Sequence, residues 1–555
     1  MVRASTLSRW LPVLCAAAAV AIRVPFLFKA EAFFNSDEGL EGLIARHIGT
    51  LPIFFWGQGY KGVPEAYLSA VAFAIFGVGV AQLKAVTLAI WTAAVAVSTR
   101  LGQRWYGDTG GFVTGAMLAL APVSVVNWSL SGSAEVAWLT LIFSGVMLAY
   151  QRSVDEPGRP VRPVVMIGCG AALWVHPIAV SFVGALAIVA ALRSEWWRRH
   201  GWAGVLDLAL GRDLFGAARV AIVSLHGLLA LVVATFVWTY LGGHLNIGGV
   251  TAGHPQKVFR VLAIVIGATI AANALTGVVV PARRAIQTAA WCALGLLPVG
   301  LYVLRGGVPG SLISVHSIAD APGLLKVFVT EAAPMLLGVR EPSGGPVTAW
   351  WLSIPFVLLL VVHVIATSRE WAGGLLRGSP LPSACMAVYT ACCLIVMLGP
   401  GGAFNDVLSY RYVMPFFGLM MLSAASGAQA IAARSRPIAA ALVVLCFVPS
   451  VIGNVRWWSG LQDDGSDRQI LRCLTDQGIG AATADYWIAY RMTFIADERI
   501  IVNPDLNVRY RPYEDAVRAA TRSAWIQYTD GRGEEHRSGP AICRAPPLEA
   551  LPVGR

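Results

Sequence analysis

Charge is what this chain has least of. Of its 555 residues only 13% are charged and 56% are hydrophobic, whereas soluble domains carry roughly a quarter charged residues. That scarcity excludes an ordinary water-soluble enzyme, and the chain needs lipid as its solvent. No glycine-rich turn joins a strand to a helix in the manner of a dinucleotide fold, so no nucleotide site is indicated. No internal repeat is visible, although transporters are often built from repeats. Cysteine is sparse and unpatterned. Seven of the nine (Cys15, Cys169, Cys292, Cys385, Cys392, Cys393 and Cys446) lie in apolar segments without metal-site spacing and read as small buried hydrophobes. The net charge of +11 does not indicate a nucleic-acid partner, because the basic residues are dispersed as short Arg clusters between apolar runs.

What the chain has in abundance is apolar runs close to the ~20 residues that cross a bilayer core. Judged by length they fall at 11–29, 82–99, 110–127, 134–151, 217–240, 259–280, 286–304, 348–367, 381–399, 412–431 and 437–453. The stretch 163–192 adds two short crossings that meet near His176-Pro177, because proline ends or kinks a helix. Residues 65–80 hold Glu65 and Tyr67 and read as an interfacial or re-entrant helix. The expected architecture is an all-α polytopic transmembrane bundle of about thirteen crossings over residues 1–453. The first run, after Arg3 and Arg9, is read as a retained helix and not a cleaved signal. Arginine bias places the N-terminus in the cytoplasm and, with an odd crossing count, residues 454–555 outside. That last segment has no run long enough to cross. Its alternation reads as a small soluble α/β domain: helix 468–476, strand 481–486, helix 489–496, strand 500–503, helix 513–521, strand 524–528. Cys473 and Cys543 lie at its two ends and stand either as a disulfide or as two free thiols.

The polar residues on the expected external face form one set: Asp37, Glu38, Tyr60, Lys61, Glu65, Glu135, His176, Tyr410 and Arg411. Ionisable groups near a membrane boundary are costly unless paired or used. Asp37-Glu38 opens a short amphipathic helix reaching Arg46, with Ser36 as its expected cap. The two acids either favour that helix's positive end or, in Asp37, supply a base that takes a proton from a hydroxyl. Glu135 begins a span after Ser131-Gly132-Ser133; it either serves the helix start or faces Asp37 across a cleft. His176 reads as a hydrogen-bonded helix-end residue or as a cleft residue. Lys61, beside Tyr60, and Arg411, beside Tyr410, suit phosphate binding or plain interfacial anchoring.

These residues resemble the C-type (GT-C) fold of membrane glycosyltransferases, in particular relatives of the protein O-mannosyltransferases of family 39 and of the lipid A aminoarabinose transferase. Ser36-Asp37-Glu38 falls where that superfamily carries a catalytic acid, in the first external loop. The run from Phe54 to Leu68 looks like the segment before the second span, with Lys61 at the offset of a phosphate-binding lysine, and Ser131-Gly132-Ser133-Ala134-Glu135 looks like the second external loop with Glu in place of Asp. Trp174-Val175-His176-Pro177, Tyr410-Arg411-Tyr412-Val413-Met414-Pro415 and Asp485-Tyr486-Trp487-Ile488-Ala489-Tyr490-Arg491 are similar to recurrent patterns of these enzymes. The resemblance implies a transferase of the inner (plasma) membrane that moves a sugar, with inversion, from a polyprenyl-phosphate donor to an extracytoplasmic acceptor hydroxyl. It implies Asp37, Glu38 and Glu135 as catalytic, Lys61, Tyr60, Arg411 and Tyr410 at the donor phosphate, and Glu65 and His176 in the cleft. No cofactor is established, and a divalent metal held between Asp37 and Glu135 stays open. The alternatives are a lipid or glycan transporter whose acids couple to ions, and a non-catalytic cell-envelope scaffold.

Overall fold

The computed structural model describes residues 6–526 apart from 134, 156–160, 213, 244, 248–249, 253–254, 277–280, 311–319, 342–348, 373–380, 399–413 and 464. Helix dominates. The chain opens with α1 (Thr6–Leu27), α2 (Ser36–Arg46), α3 (Pro64–Phe76) and α4 (Val80–Ala119). Then come α5 (Val123–Trp128), α6 (Glu135–Asp155), α7 (Pro163–Val175), α8 (Ala179–Arg193), α9 (Glu195–Ala209) and α10 (Gly216–Tyr240). A hairpin of β1 (Leu245–Ile247) and β2 (Val250–Ala252) precedes α11 (Pro255–Thr276), α12 (Ala282–Gly295), α13 (Leu297–Leu304), α14 (Ala321–Val327) and α15 (Ala333–Leu336). The apolar part closes with α16 (Ile354–Ala372), α17 (Leu381–Leu398), α18 (Phe417–Ala432) and α19 (Arg436–Gly460).

Among the described residues five helices are long and apolar enough to cross a membrane, or seven if the pairs bent by 96° at Ser194 and by 71° at Leu296 each count as one span. The protein is a multi-pass membrane protein. Other apolar runs are broken into helices of 10–17 residues, among them Pro64–Phe76, Pro163–Val175 and Phe417–Ala432. At 1.5 Å per residue α3 is about 20 Å long, short of the ~30 Å core. It exposes Leu68, Val71, Ile75 and Phe76, which agrees with an interfacial or re-entrant element. The break between α7 and α8 falls at His176-Pro177, as the proline predicts.

The run 82–99 and the first half of the run 110–127 belong to one element, α4, whose backbone leaves helical geometry at Tyr106 and Gly107, and the second half ends in the separate helix α5. Gly107 has φ +69°, a conformation that favours glycine, and the chain folds back there. Beyond the fold-back, a Cβ on Gly110 would lie 3.0 Å from the Gly102 carbonyl, and one on Gly115 would meet Thr99 and Cys15. Small residues thus allow the two arms of α4 and α1 to approach closely. Arg23, fully buried in α1, caps the end of the second arm: its guanidinium donates to the Ala119 carbonyl at 2.7 Å, to Leu118 at 3.3 Å and to Ser129 Oγ at 2.7 Å. A cation there answers orphan carbonyls and the negative end of the helix dipole.

Helix α19 continues without a break to Gly460, past the expected boundary at 453. Asn454 bonds the Ala121 and Ser450 carbonyls inside the bundle, and Trp457 stacks on Phe26 at 4.9 Å, so the helix has packing to extend it. After it come α20 (Ser466–Asp476), β3 (Ala481–Ala484), α21 (Tyr486–Ile495), β4 (Ile501–Pro504), α22 (Arg511–Ala519) and β5 (Ala524–Ile526). These follow the expected alternation element by element. The sheet is parallel in the order β4-β3-β5, with Ala482 opposite Val502 and Ala524. Cys473, on α20, is disulfide-bonded. Its expected partner Cys543 lies outside the described residues, and the seven cysteines of the apolar segments are free thiols.

Candidate active site

Helix α2 organises the site, and its start lies one residue earlier than the sequence suggests. Asn35 is the cap: its backbone is extended, and its Oδ1 accepts the Glu38 N–H at 3.0 Å. A cap must sit outside the helix, and Ser36 is already inside it. The Ser36 hydroxyl instead accepts the Tyr490 N–H at 2.9 Å. The expected amphipathic helix along the membrane is enclosed on nearly every side, with each residue from Glu38 to Ala45 buried. What covers its glycine face is α21. A Cβ on Gly39 would come within 2.7 Å of the Arg491 backbone, and one on Gly42 within 2.4 Å of the Phe494 ring.

Glu38 turns away from Asp37 toward the bundle. Its carboxylate pairs with the Lys84 ammonium at 2.5 Å and accepts the Gly132 N–H at 2.8 Å, and both side chains of the pair are buried. Lys84 also reaches the Phe33 carbonyl and lies 3.9 Å above the Phe33 ring. One ion pair therefore ties α2, the first arm of α4 and the 131–133 loop together.

On the next face of α2, Asp37 and Glu41 lie one turn apart, at the spacing that places two side chains on one side of a helix. That face meets Lys61, Glu65 and Glu135. Lys61 is buried; its ammonium donates to Ser133 Oγ at 2.5 Å, lies 3.1 Å from Glu135 Oε2, and sits 4.5 Å from the Phe55 ring centre. Ser133 Oγ in turn donates to Glu135 Oε2 at 3.0 Å. Burial alone would lower the Lys61 pKa, but the neighbouring carboxylates, Glu135 first, outweigh it and hold the ammonium above its usual range. Glu65, the second residue of α3, is buried beside Glu41. The loop carrying Lys61 is seated on the end of α7, where the Gly62 N–H donates to the Trp174 carbonyl at 3.1 Å. His176 caps α7, accepts the Ile178 N–H on Nδ1 at 3.2 Å, and meets the edge of the Tyr60 ring at 6.3 Å. It is thus a hydrogen-bonded helix-end histidine that also borders the Tyr60-Lys61 loop.

Asp37 is half-buried and takes a hydrogen-bond partner from the other end of the chain. The Tyr486 hydroxyl, on α21, donates to Asp37 Oδ1 at 2.5 Å. Burial first, and then the Asp37 charge, push the Tyr486 phenol well above its ordinary pKa, so it stays a donor. The α/β segment is therefore a wall of the site and not an appendage on a tether.

The structure brings Asp37, Lys61, Glu65 and Glu135 to one place, with Tyr60 and His176 beside them. Tyr410 and Arg411 lie outside the described residues. Sequence reasoning missed three participants. Lys84 was detectable as a lysine within an apolar run. Glu41 was detectable as the residue one turn after Asp37. Tyr486 lay in a noted motif, but its contact, 449 positions from Asp37, has no local signal. Among the described residues no group of three or more His, Cys, Asp or Glu is arranged to hold a metal ion. Glu135 is engaged by Lys61 and by the Ser133 hydroxyl.

Fold and site together define a helical membrane protein whose buried acids and one lysine meet at the end of the bundle, roofed by a small α/β unit. No protein-family model and no curated protein matches the chain. Solved structures similar to it include those of an archaeal oligosaccharyltransferase and of ArnT. One is the Archaeoglobus fulgidus oligosaccharyltransferase AglB in complex with an inhibitory peptide and a dolichol-phosphate, at 13% identity and TM-score 0.48, covering 90% of this chain and 64% of that one. The other is ArnT from Cupriavidus metallidurans bound to undecaprenyl phosphate, at 15% identity and TM-score 0.32, covering 91% of this chain and 87% of that one. The chain thus spans a little under two thirds of the oligosaccharyltransferase. Both TM-scores lie below 0.5, and no residue correspondence follows.

Proposed function

We propose that the chain is a membrane glycosyltransferase that takes a sugar from a polyprenyl-phosphate donor and passes it, with inversion, to an extracytoplasmic hydroxyl. The observation that carries this reading is the placement of Asp37: a half-buried carboxylate at the start of an enclosed helix, on the face that meets a cluster of buried acids whose lysine stays charged. In the proposed step the acceptor oxygen attacks the anomeric carbon and its proton passes to Asp37. The bond from that carbon to the phosphate oxygen breaks, and the polyprenyl phosphate leaves with the electron pair. Lys61, held by Glu135 and Ser133, offsets charge on the leaving phosphate as a point charge. Arg411 and Tyr410 are proposed at the same phosphate. Glu135 fixes Lys61, Glu65 and His176 border the cleft, and Glu38 positions α2 through Lys84.

In this reading the bundle of about thirteen crossings has a cytoplasmic N-terminus, the cleft and the α/β unit face outward, and the membrane is the inner (plasma) membrane. The disulfide at Cys473 favours that sidedness, since such bonds persist in oxidising compartments. The test is transfer of radiolabelled sugar from a panel of polyprenyl-phosphate sugars by wild type and Asp37→Asn. Asp37→Asn keeps the shape and removes the base, so transfer should fall by about 10²-fold or more. Retained activity within a few-fold would sink the assignment. Transfer by neither protein would favour a transporter.

A further inference from the structure

Each buried acid of this cluster has a role in the protein's own bonding, with one exception among the described residues. Glu38 has Lys84 and the Gly132 N–H; Glu135 has Lys61 and Ser133; Glu65 has interactions within the protein. Glu41 is fully buried, and neither of its carboxyl oxygens is hydrogen-bonded to any described residue. A buried polar group left in that state costs folding free energy, and an apolar side chain of similar length would not carry the cost. Sites that break local rules in this way are typically functional.

We infer that the Glu41 carboxyl is a subsite for a hydroxyl of the sugar being transferred, one helical turn from the base at Asp37. The inference rests on the glycosyl-transfer reading above. Three observations select a neutral hydroxyl over other ligands. Burial, and next the Glu65 charge, push the Glu41 carboxyl well above the usual carboxylate range; Lys61 opposes them, and Glu135 and Asp37 add to them. Burial thus favours the protonated carboxyl, which offers one donor and one acceptor, as a sugar hydroxyl does. An anion would be repelled by the surrounding acids and drawn to Lys61, and a metal ion lacks a set of three ligands among the described residues. On α2, side chains at positions 37 and 41 stand about 5–6 Å apart at Cβ, within the reach of a single sugar ring.

The experiment uses full-length wild type, Glu41→Leu, Glu41→Gln and Asp37→Asn, with radiolabelled mannose, glucose and arabinose carried on undecaprenyl phosphate. Thermal unfolding is measured beside transfer. Glu41→Leu is expected to raise Tm, because it removes an unsatisfied group, while kcat/KM falls by about tenfold or more. Glu41→Gln keeps a donor and an acceptor and should stay within roughly threefold to fivefold of wild type. A residue that only supports the structure would not separate the two readouts in this way. The inference is overturned if Glu41→Leu transfers as wild type does, or if it lowers Tm, which would mean that the carboxyl has partners within the protein. It is also overturned if added magnesium or manganese restores Glu41→Gln but not Glu41→Leu, which would assign the oxygens to a cation. If wild type transfers none of these sugars, or Asp37→Asn matches it, the glycosyl-transfer reading fails and takes the subsite with it. Loss in Asp37→Asn alone, with all Glu41 variants intact, overturns only the subsite.

Discussion

At the scale of single residues, the pair Lys84–Glu38 illustrates how a charge survives inside an apolar bundle. Its two side chains are almost inaccessible, and Gly132 and Phe33 satisfy further polar atoms. Such a pair adds little net stability compared with an apolar isostere, but removing one member leaves the other buried and unpaired. Lys84→Met is therefore expected to destabilise the protein by roughly 3–5 kcal/mol. Combining it with Glu38→Gln should return much of that loss, a coupling that a double-mutant cycle of thermal unfolding in detergent measures. Equal destabilisation by the single and the double variant would contradict the pairing. Lysine in a run of apolar residues is visible in sequence as an anomaly; its partner is not, because 46 residues separate the two and the i, i+4 logic of helices does not reach so far.

At the scale of elements, α2 is held where two backbones nearly touch. Gly39 lies against the Arg491 backbone and Gly42 against the Phe494 ring, and Ser36 and Asp37 take hydrogen bonds from Tyr490 and Tyr486. Gly39→Val should push α21 off α2, because its side chain would meet main-chain atoms that cannot rotate away. The expected outcome is faster proteolysis of the α/β unit and loss of transfer. Gly49→Ala is the matched control, since a Cβ there meets nothing within 4 Å. Equal protease resistance of Gly39→Val and wild type would refute the close approach. The helical extent of α2, Ser36–Arg46, lies within one residue of the sequence expectation. Its surroundings do not, because the covering helix comes from more than 400 residues away.

At the scale of the whole molecule, the α/β unit and the first loop share one apolar cluster, in which Leu40, Leu43 and Phe55 join Tyr490, Phe494 and Tyr513. Polar links ring it. Arg468 grips Glu31, Lys29 donates to the Trp458 and Leu461 carbonyls, and Trp56 stacks on Tyr510 at 3.8 Å. Glu498 joins Arg46, His47 and Tyr513. Burial alone would raise the Glu498 pKa, but hydrogen bonds from Tyr513 and His47, with the charges of His47 and Arg46, hold it below the usual range. A depressed carboxylate contributes stability that is present above its unfolded pKa, near 4.3, and is lost as pH falls through the folded value. The seat of the α/β unit should therefore loosen below about pH 4.3, read as rising protease sensitivity. Glu498→Gln should weaken the seat at neutral pH and flatten that acid response. An unchanged acid profile in the variant would remove Glu498 from the account.

Composition alone determined that this chain lives in lipid, because a protein with so few charged residues cannot solvate its surface in water. Local pattern determined most helix positions, the break at His176-Pro177 and the order of strands and helices after α19, because capping, proline geometry and hydrophobic period act within a few residues. Local pattern also singled out Asp37, Lys61, Glu65 and Glu135, since acids and lysines at the ends of apolar runs are rare for an energetic reason. What only the tertiary structure decided is which of them meet. Glu38 goes to Lys84, Lys61 to Glu135, and Asp37 to Tyr486. Glu41 keeps a buried carboxyl with no hydrogen bond to any described residue. Those pairings depend on how elements far apart in the chain pack together, and partners chosen across 46, 74 or 449 positions leave no periodic trace in the sequence.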